Sequence, residues 1–225
     1  MLFSQKLNNI KQKDLYIFDC DGTLVDSETL TNKIIASMLT EIEIPTTTEE
    51  SLELFAGKKF KDIIAHISKA KPKYDNRQFE KDFRARCTIA FNTELKTVEG
   101  VEKLLDKIST HKAIASNGPR VKMDITLKVT DLNKYFPAEH IFSAYDIQKW
   151  KPEPGLFLNV LKYFDVSPNK ALVIEDTISG VMGAINAGID VVAINPYEDQ
   201  EIIDTGIPSF KTMREIKDYL FPSIL

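Results

Sequence analysis

Short apolar runs punctuate the chain at "LYIFD" (15–19), "KAIASN" (112–117), "HIFSAYD" (140–146), "ALVIED" (171–176) and "VVAIN" (191–195). They are rich in Ile, Val and Phe and stay apolar without alternating, the pattern of strands covered on both faces of a parallel sheet. Between them the apolar positions return at helical spacing. "VEKLLDKI" (101–108) follows Gly100, "GLFLNVLKYF" (155–164) follows Pro-Glu-Pro, and "SGVMGAINAG" (179–188) closes on Gly188. The end of the chain reads as a short strand, "IPSF", and a helix, "MREIKDYL". Strand alternating with helix predicts an α/β fold built on a doubly wound parallel sheet.

One interval breaks the alternation. From Glu28 to Thr97 only helical spacing is visible. Ile34, Ile35, Met38, Leu39 and Ile42 form one apolar stripe, and Phe60, Ile63, Ile64 and Ile67 a second. Phe79, Phe83, Cys87, Ala90 and Phe91 form a third. "TTTEE" ahead of Leu52 offers a capping-box start, and Gly57 a stop. A helix buries such a stripe against its neighbours. Residues 28–97 are therefore expected to form a small helical domain, inserted into an α/β domain made of residues 1–27 and 98–225.

Composition narrows what this architecture could do. The chain has 225 residues, 43% of them apolar and 28% charged, an ordinary globular make-up. A formal net charge of −4 argues against a broad basic nucleic-acid surface but leaves room for a local pocket holding a small anion. Two cysteines, Cys20 and Cys87, make no disulfide framework and point to a reducing compartment. The opening residues lack an apolar stretch of signal-peptide length, and no later run approaches a membrane span. A cytoplasmic protein with no membrane partner is the expectation. His66, His111 and His140 share no ligand spacing, so neither a His-built zinc site nor a Ser-His-Asp triad is supported. Oligomeric state is left open, with a monomer compatible, because an apolar stripe faces a core or a second copy equally well.

The charged residues change the picture by where they fall. In an open parallel sheet, ligands bind beyond the carboxyl ends of the strands. The first strand ends in Asp19, with Asp21 two residues on, and Gly22 and Thr23 continue the turn. The second ends in Ser116-Asn117-Gly118, and a later one in Glu175-Asp176. Lys151 lies in "IQKWKPEPG", stiffened by Pro152 and Pro154. Singly, each has an ordinary explanation as a turn, a helix cap or a surface charge. Together on one edge they offer three or four carboxylates, a hydroxyl, an amide and a lysine. Carboxylates so close repel unless a cation or a shared proton offsets them. An all-oxygen set suits Mg²⁺. Ser116, Asn117 and Lys151 could then hold phosphoryl oxygens, and phosphoryl transfer needs mostly positioning and charge neutralisation.

"DCDGTLVDS", "SNGPR", "KWKPEPGLF" and "IEDTISGVMGAINAG" resemble, in order and spacing, the motifs of the haloacid dehalogenase-like hydrolases. The insert resembles the helical cap of the branch that holds β-phosphoglucomutase and phosphoglycolate phosphatase. "DCDGTLVDSE", "SNGP" and "YDIQKWKP" are further similar to bacterial sugar-phosphate phosphatases active on 6-phosphogluconate. The resemblance implies a Rossmann-like core under a small α-helical cap and a Mg²⁺-dependent phosphatase acting on a small phosphorylated metabolite. It implies that Asp19 is the nucleophile and becomes an aspartyl phosphate. Asp21 would be the acid that protonates the leaving alcohol and then the base that activates water. Ser116 and Lys151 complete the implied catalytic set, and Gly22, Thr23, Asn117 and the cap residue Lys58, beside Lys59, join them as substrate-binding candidates. Asp19, Asp21 through its carbonyl, Asp176 and Glu175 would hold Mg²⁺. Thr177 stands where the family often has Ser and keeps the hydroxyl.

Two alternatives stay open. A phosphosugar mutase of the β-phosphoglucomutase type shares the core, but such mutases carry a cap-hinge histidine where this chain has Thr31. A non-catalytic phospho-accepting switch needs no acid/base, so Asp21 argues against it.

Overall fold

The computed structural model describes residues 13–56, 58 and 60–222. Among the described residues, six strands make one parallel sheet: β1 (Leu15–Phe18), β2 (His111–Ser116), β3 (Ile141–Ser143), β4 (Ala171–Glu175), β5 (Asp190–Ile194) and β6 (Ser209–Phe210). Their spatial order is β3-β2-β1-β4-β5-β6. β1 is central. Leu15–Phe18 pairs with His111–Ile114 on one side and with Ala171–Ile174 on the other. All four β1 residues are buried, which is why the run is apolar throughout. The chain steps one way from β1 to β2 and β3, and the other way through β4 to β6. That reversal puts a crevice at the carboxyl end of β1.

The helices are, in chain order, α1 (Ser27–Glu41), α2 (Thr48–Phe55), α3 (Phe60–Ala70), α4 (Asn76–Thr93), α5 (Val101–Leu105), α6 (Arg120–Val129), α7 (Ala144–Ile147), α8 (Gly155–Phe164), α9 (Ile178–Asn186), α10 (Gln200–Asp204) and α11 (Met213–Leu220). Phe157 and Val160 from α8 and Val181 and Ala184 from α9 pack on Ile17, Ala115 and Val173 of the sheet. Each fully buried large side chain there contributes about 1.5–3 kcal/mol. Phe18 meets Phe136 edge to face at 5.9 Å.

The chain separates into two compact units, the residues up to Val25 with those from Thr97 onward, and Asp26–Lys96. The helical unit begins two residues earlier than the pattern suggested, because Asp26 caps α1 by accepting from the Thr29 N–H. Its core gathers Ile35, Met38 and Leu39 of α1, Phe55 of α2, Ile63 and Ile67 of α3 and Phe79 of α4. Thr47 and Glu50 form the capping box that starts α2, and the Ser51 hydroxyl donates to Asn32 Oδ1 at 2.8 Å in the interior. The expected stop at Gly57 lies outside the described residues, as does Lys59; α2 ends at Phe55.

Two elements differ from the pattern. The "HIFSAYD" strand is cut to Ile141–Ser143, because the Ser143 hydroxyl accepts from the Tyr145 N–H and opens α7. Helix α6 was not anticipated. Val121, Met123, Ile125, Leu127 and Val129 alternate with polar residues, a period-two pattern that conceals a helix burying only Met123, Thr126 and Leu127. Among the described residues, no helix is long and apolar enough to cross a membrane.

Candidate active site

The site is built at the carboxyl ends of β2, β1 and β4, three neighbours in the sheet. Asp19 leaves β1 with its N–H still donating to Ile174 O at 3.0 Å. The chain then folds into a tight turn. The Leu24 and Val25 N–H groups donate to Cys20 O, and the Gly22 N–H to Val25 O. Gly22 has φ +79°, and a Cβ there would stand 2.0 Å from Asp176 Oδ2. Only glycine both takes that backbone shape and admits the carboxylate.

Lys151 crosses to this turn from the loop between α7 and α8. Its side chain is 2% exposed, and its ammonium donates to Asp19 Oδ1 at 2.6 Å and to Glu175 Oε1. Burial alone would depress this ammonium, but the charges of Asp19 and Glu175 outweigh it and hold Lys151 above its ordinary value. Asp19 is pushed up to about 7, first by burial and then by the charges of Glu175 and Asp21, with Lys151 opposing. Asp176 is also pushed well up, by burial and by Glu175 and Asp19, although the Thr23 hydroxyl donates to its Oδ1 at 2.8 Å.

Glu175 is fully buried and fully engaged. Its Oε1 takes Lys151, while Oε2 accepts from the Asp176 N–H at 2.9 Å, the Thr177 N–H at 3.1 Å and the Thr177 hydroxyl at 3.1 Å. Gly180 makes room for it, since a Cβ there would fall 1.8 Å from Oε1.

On the β2 side, Ser116 Oγ accepts from the Gly118 N–H at 3.2 Å, and the Ser143 hydroxyl holds Gly118 O at 2.7 Å. Asn117 clasps the Lys151 backbone reciprocally. Its Oδ1 accepts from the Lys151 N–H at 2.9 Å, and its Nδ2 donates to the Lys151 carbonyl at 3.2 Å. Asp21 Oδ2 accepts from Lys122 Nζ at 2.6 Å, while its Oδ1 is buried with no hydrogen-bond partner among the described residues.

Asp19, Asp21, Ser116, Lys151, Glu175 and Asp176, all anticipated, thus gather on one rim. Several do other work than expected. The Thr23 hydroxyl and the Gly22 backbone face Asp176 rather than an open pocket. The Asn117 amide is taken up by the Lys151 backbone. Glu175 spends Oε1 on the Lys151 ammonium and Oε2 on the Asp176–Thr177 turn. Lys58 is exposed and belongs to the helical unit. Lys122 was not foreseen, because it lies on the helix whose spacing concealed it.

The donor set fits a hard cation. Asp19, Glu175 and Asp176 are carboxylates in the interior beside the ammonium of Lys151, and burial, reinforced by their mutual repulsion, pushes Asp19 and Asp176 up. Among the described residues, no three His, Cys, Asp or Glu side chains close into a cage. A site with few protein ligands suits a cation that keeps several waters.

Residues 16–194 match the family of haloacid dehalogenase-like hydrolases. The 6-phosphogluconate phosphatase of Escherichia coli (strain K12) is 35% identical over 175 residues, 77% of this chain and 79% of that protein. A phosphorylated carbohydrates phosphatase of Thermotoga maritima is 27% identical over 177 residues, 77% of this chain and 81% of its own. A solved haloacid dehalogenase-like protein of Agrobacterium tumefaciens superposes with a TM-score of 0.78 at 30% identity, covering 91% of this chain and 96% of that one. With the carboxylates, the lysine and the serine on one rim of a parallel sheet, and with this kinship over most of its length, the chain belongs to the haloacid dehalogenase-like hydrolases, as a hydrolase of phosphoric monoesters.

Proposed function

We propose that the enzyme is a Mg²⁺-dependent phosphatase acting on a sugar phosphate such as 6-phosphogluconate, through an aspartyl phosphate on Asp19. The observation that carries this reading is the buried Lys151 ammonium on Asp19 Oδ1 at 2.6 Å, with Asp21 beside it holding one oxygen unpartnered among the described residues. The phosphatase names of the Escherichia coli and Thermotoga maritima relatives support the substrate class.

In this reading the Asp19 carboxylate attacks phosphorus. Lys151 holds it ionised and offsets the charge of the incoming phosphoryl group. Ser116 accepts from Gly118, which leaves its own hydroxyl proton for a phosphoryl oxygen. As the phosphorus–oxygen bond to the sugar breaks, Asp21 gives its proton to the departing oxygen. Asp21 then takes a proton from the water that attacks phosphorus, phosphate leaves, and Asp19 is restored. Asp19, Asp176 and the Asp21 carbonyl would hold Mg²⁺, which supplies charge neutralisation at the phosphoryl oxygens. Glu175 and Asn117 fix the ammonium and the backbone of Lys151. Cys20, buried as a thiol, suits a reducing cytoplasm.

The test is phosphate release from a panel of phosphorylated metabolites with Mg²⁺, 6-phosphogluconate included, against an Asp19→Asn control. Turnover by wild type alone is expected. Conversion of β-glucose 1-phosphate to glucose 6-phosphate without free phosphate would replace the reading with a mutase.

A further inference from the structure

Lys122 stands in the first turn of α6, which follows the short loop after Ser116 at the end of β2. Its ammonium donates to Asp21 Oδ2 at 2.6 Å, and the two side chains are 35% and 30% exposed, so the pair is half sheltered at the rim. The helix that presents it is anchored on two counts. Met123 and Leu127 are buried, and Thr126 Oγ1 lies 3.8 Å from the sulfur of Cys20, inside the turn that carries Asp21. Ammonium and carboxylate are therefore held by two elements tied to each other.

The two oxygens of Asp21 are unequal. Oδ2 is occupied by Lys122; Oδ1 is shielded from solvent and has no hydrogen-bond partner among the described residues. A carboxyl group that passes a proton to a leaving oxygen must present one defined oxygen within hydrogen-bond reach. The last torsion of an aspartate is broad and roughly two-fold, so an untethered carboxylate interchanges its oxygens freely. An ammonium has donors only and cannot take the proton over.

We propose that Lys122 is a positioning residue for proton transfer: by holding Oδ2 it leaves Oδ1 of Asp21 as the oxygen that gives and then takes the proton. The inference rests on the phosphatase reading above. It assigns Lys122 no contact with the phosphoryl group and no part in holding a cation.

The experiment compares wild type, Lys122→Met and Lys122→Arg, with Mg²⁺, on two substrates. One is a sugar phosphate, whose alkoxide must be protonated as it leaves; the other is p-nitrophenyl phosphate, whose leaving group needs no proton. For Lys122→Met, kcat/KM on the sugar phosphate falls about 10- to 100-fold, a part of what proton transfer contributes, with KM within about two-fold. On p-nitrophenyl phosphate kcat/KM stays within about three-fold, and rapid mixing shows a burst of p-nitrophenol, because breakdown of the aspartyl phosphate still needs an oriented base. Lys122→Arg recovers most of the sugar-phosphate rate. Equal losses on both substrates, or a raised KM with kcat kept, would overturn the inference, the first as a merely structural role and the second as substrate binding. An active wild type beside an indifferent Lys122→Met overturns the inference alone. A wild type that releases phosphate from neither substrate overturns the phosphatase reading, and the inference with it.

Discussion

Lys151→Met keeps the length and apolar stem of the side chain while deleting the ammonium between Asp19 and Glu175. With Lys151 2% exposed, Asp19 11% and Glu175 fully buried, water cannot take its place. Removing one partner of a buried pair costs about 3–5 kcal/mol, because the remaining charge stays uncompensated. In a protein of this size each kcal/mol moves Tm by about 2–4 °C, so the expected drop is about 6–20 °C. The drop depends on pH with a definite sign. Metal-free Asp19 sits at about 7, up from 3.8. A carboxyl raised by folding binds its proton more tightly in the folded state, so its contribution is full at low pH and is lost as pH climbs from about 3.8 through about 7. Without Lys151, which pulls it down, Asp19 rises further. The gap between variant and wild type must then widen above about pH 7 and narrow toward about pH 5.5. Thermal unfolding followed by circular dichroism, with a chelator present, measures both. Phosphatase turnover should fall about 10²–10³-fold with Mg²⁺ added. A Tm unchanged at pH 8, or a gap larger in acid than in base, would refute the claim that Lys151 holds these carboxylates together.

Three other perturbations read neighbouring parts of the site. Gly22→Ala puts a Cβ 2.0 Å from Asp176 Oδ2 on a backbone at φ +79°, so Mg²⁺ affinity by calorimetry should fall at least ten-fold alongside about 1–2 kcal/mol of lost stability. Chelation should abolish turnover reversibly, and Mg²⁺ at about a hundred times its Kd should stabilise the metal-free fold by about 2.7 kcal/mol; a Tm indifferent to Mg²⁺ contradicts the cation site. Asn117→Ala loses both bonds to the Lys151 backbone and should cut kcat about ten-fold with KM nearly constant. Asn117→Asp, which keeps the acceptor, should fall between; a KM effect instead would return Asn117 to direct substrate contact.

What the sequence made legible follows the range of the interactions involved. β1, β2 and β4 announce themselves because both faces are buried and the apolar run ends abruptly in Asp19, Ser116 and Glu175. The α2 capping box is written in adjacent residues, Thr47 and Glu50. Helix α6 was hidden because Val121, 71% exposed, and Ile125, 38% exposed, add apolar letters on its solvent side and turn a helical stripe into false alternation. Lys122 was lost with it. The work of Asn117 and Glu175 was illegible for another reason. Their partners are a backbone and an ammonium far along the chain, and residue type alone cannot tell an amide that grips a loop from one that grips a ligand. Thr23 and Gly22 were expected at the substrate, and that they lie against Asp176 depends on strand register.

The central place of β1 also governs when the enzyme comes into being. A strand that starts at Leu15 finds its two neighbours at His111 and Ala171. Pairings so remote in the chain must await their loops, which slows folding relative to local structure. During synthesis Asp19 is made well before Glu175, which joins it only after the helical unit, β2 and β3 have followed. The helical stretch from Asp26 to Lys96 draws its core from its own residues and is free to fold meanwhile. Catalytic competence thus waits for the fourth strand to dock, and a fragment that stops short of β4 should hydrolyse nothing.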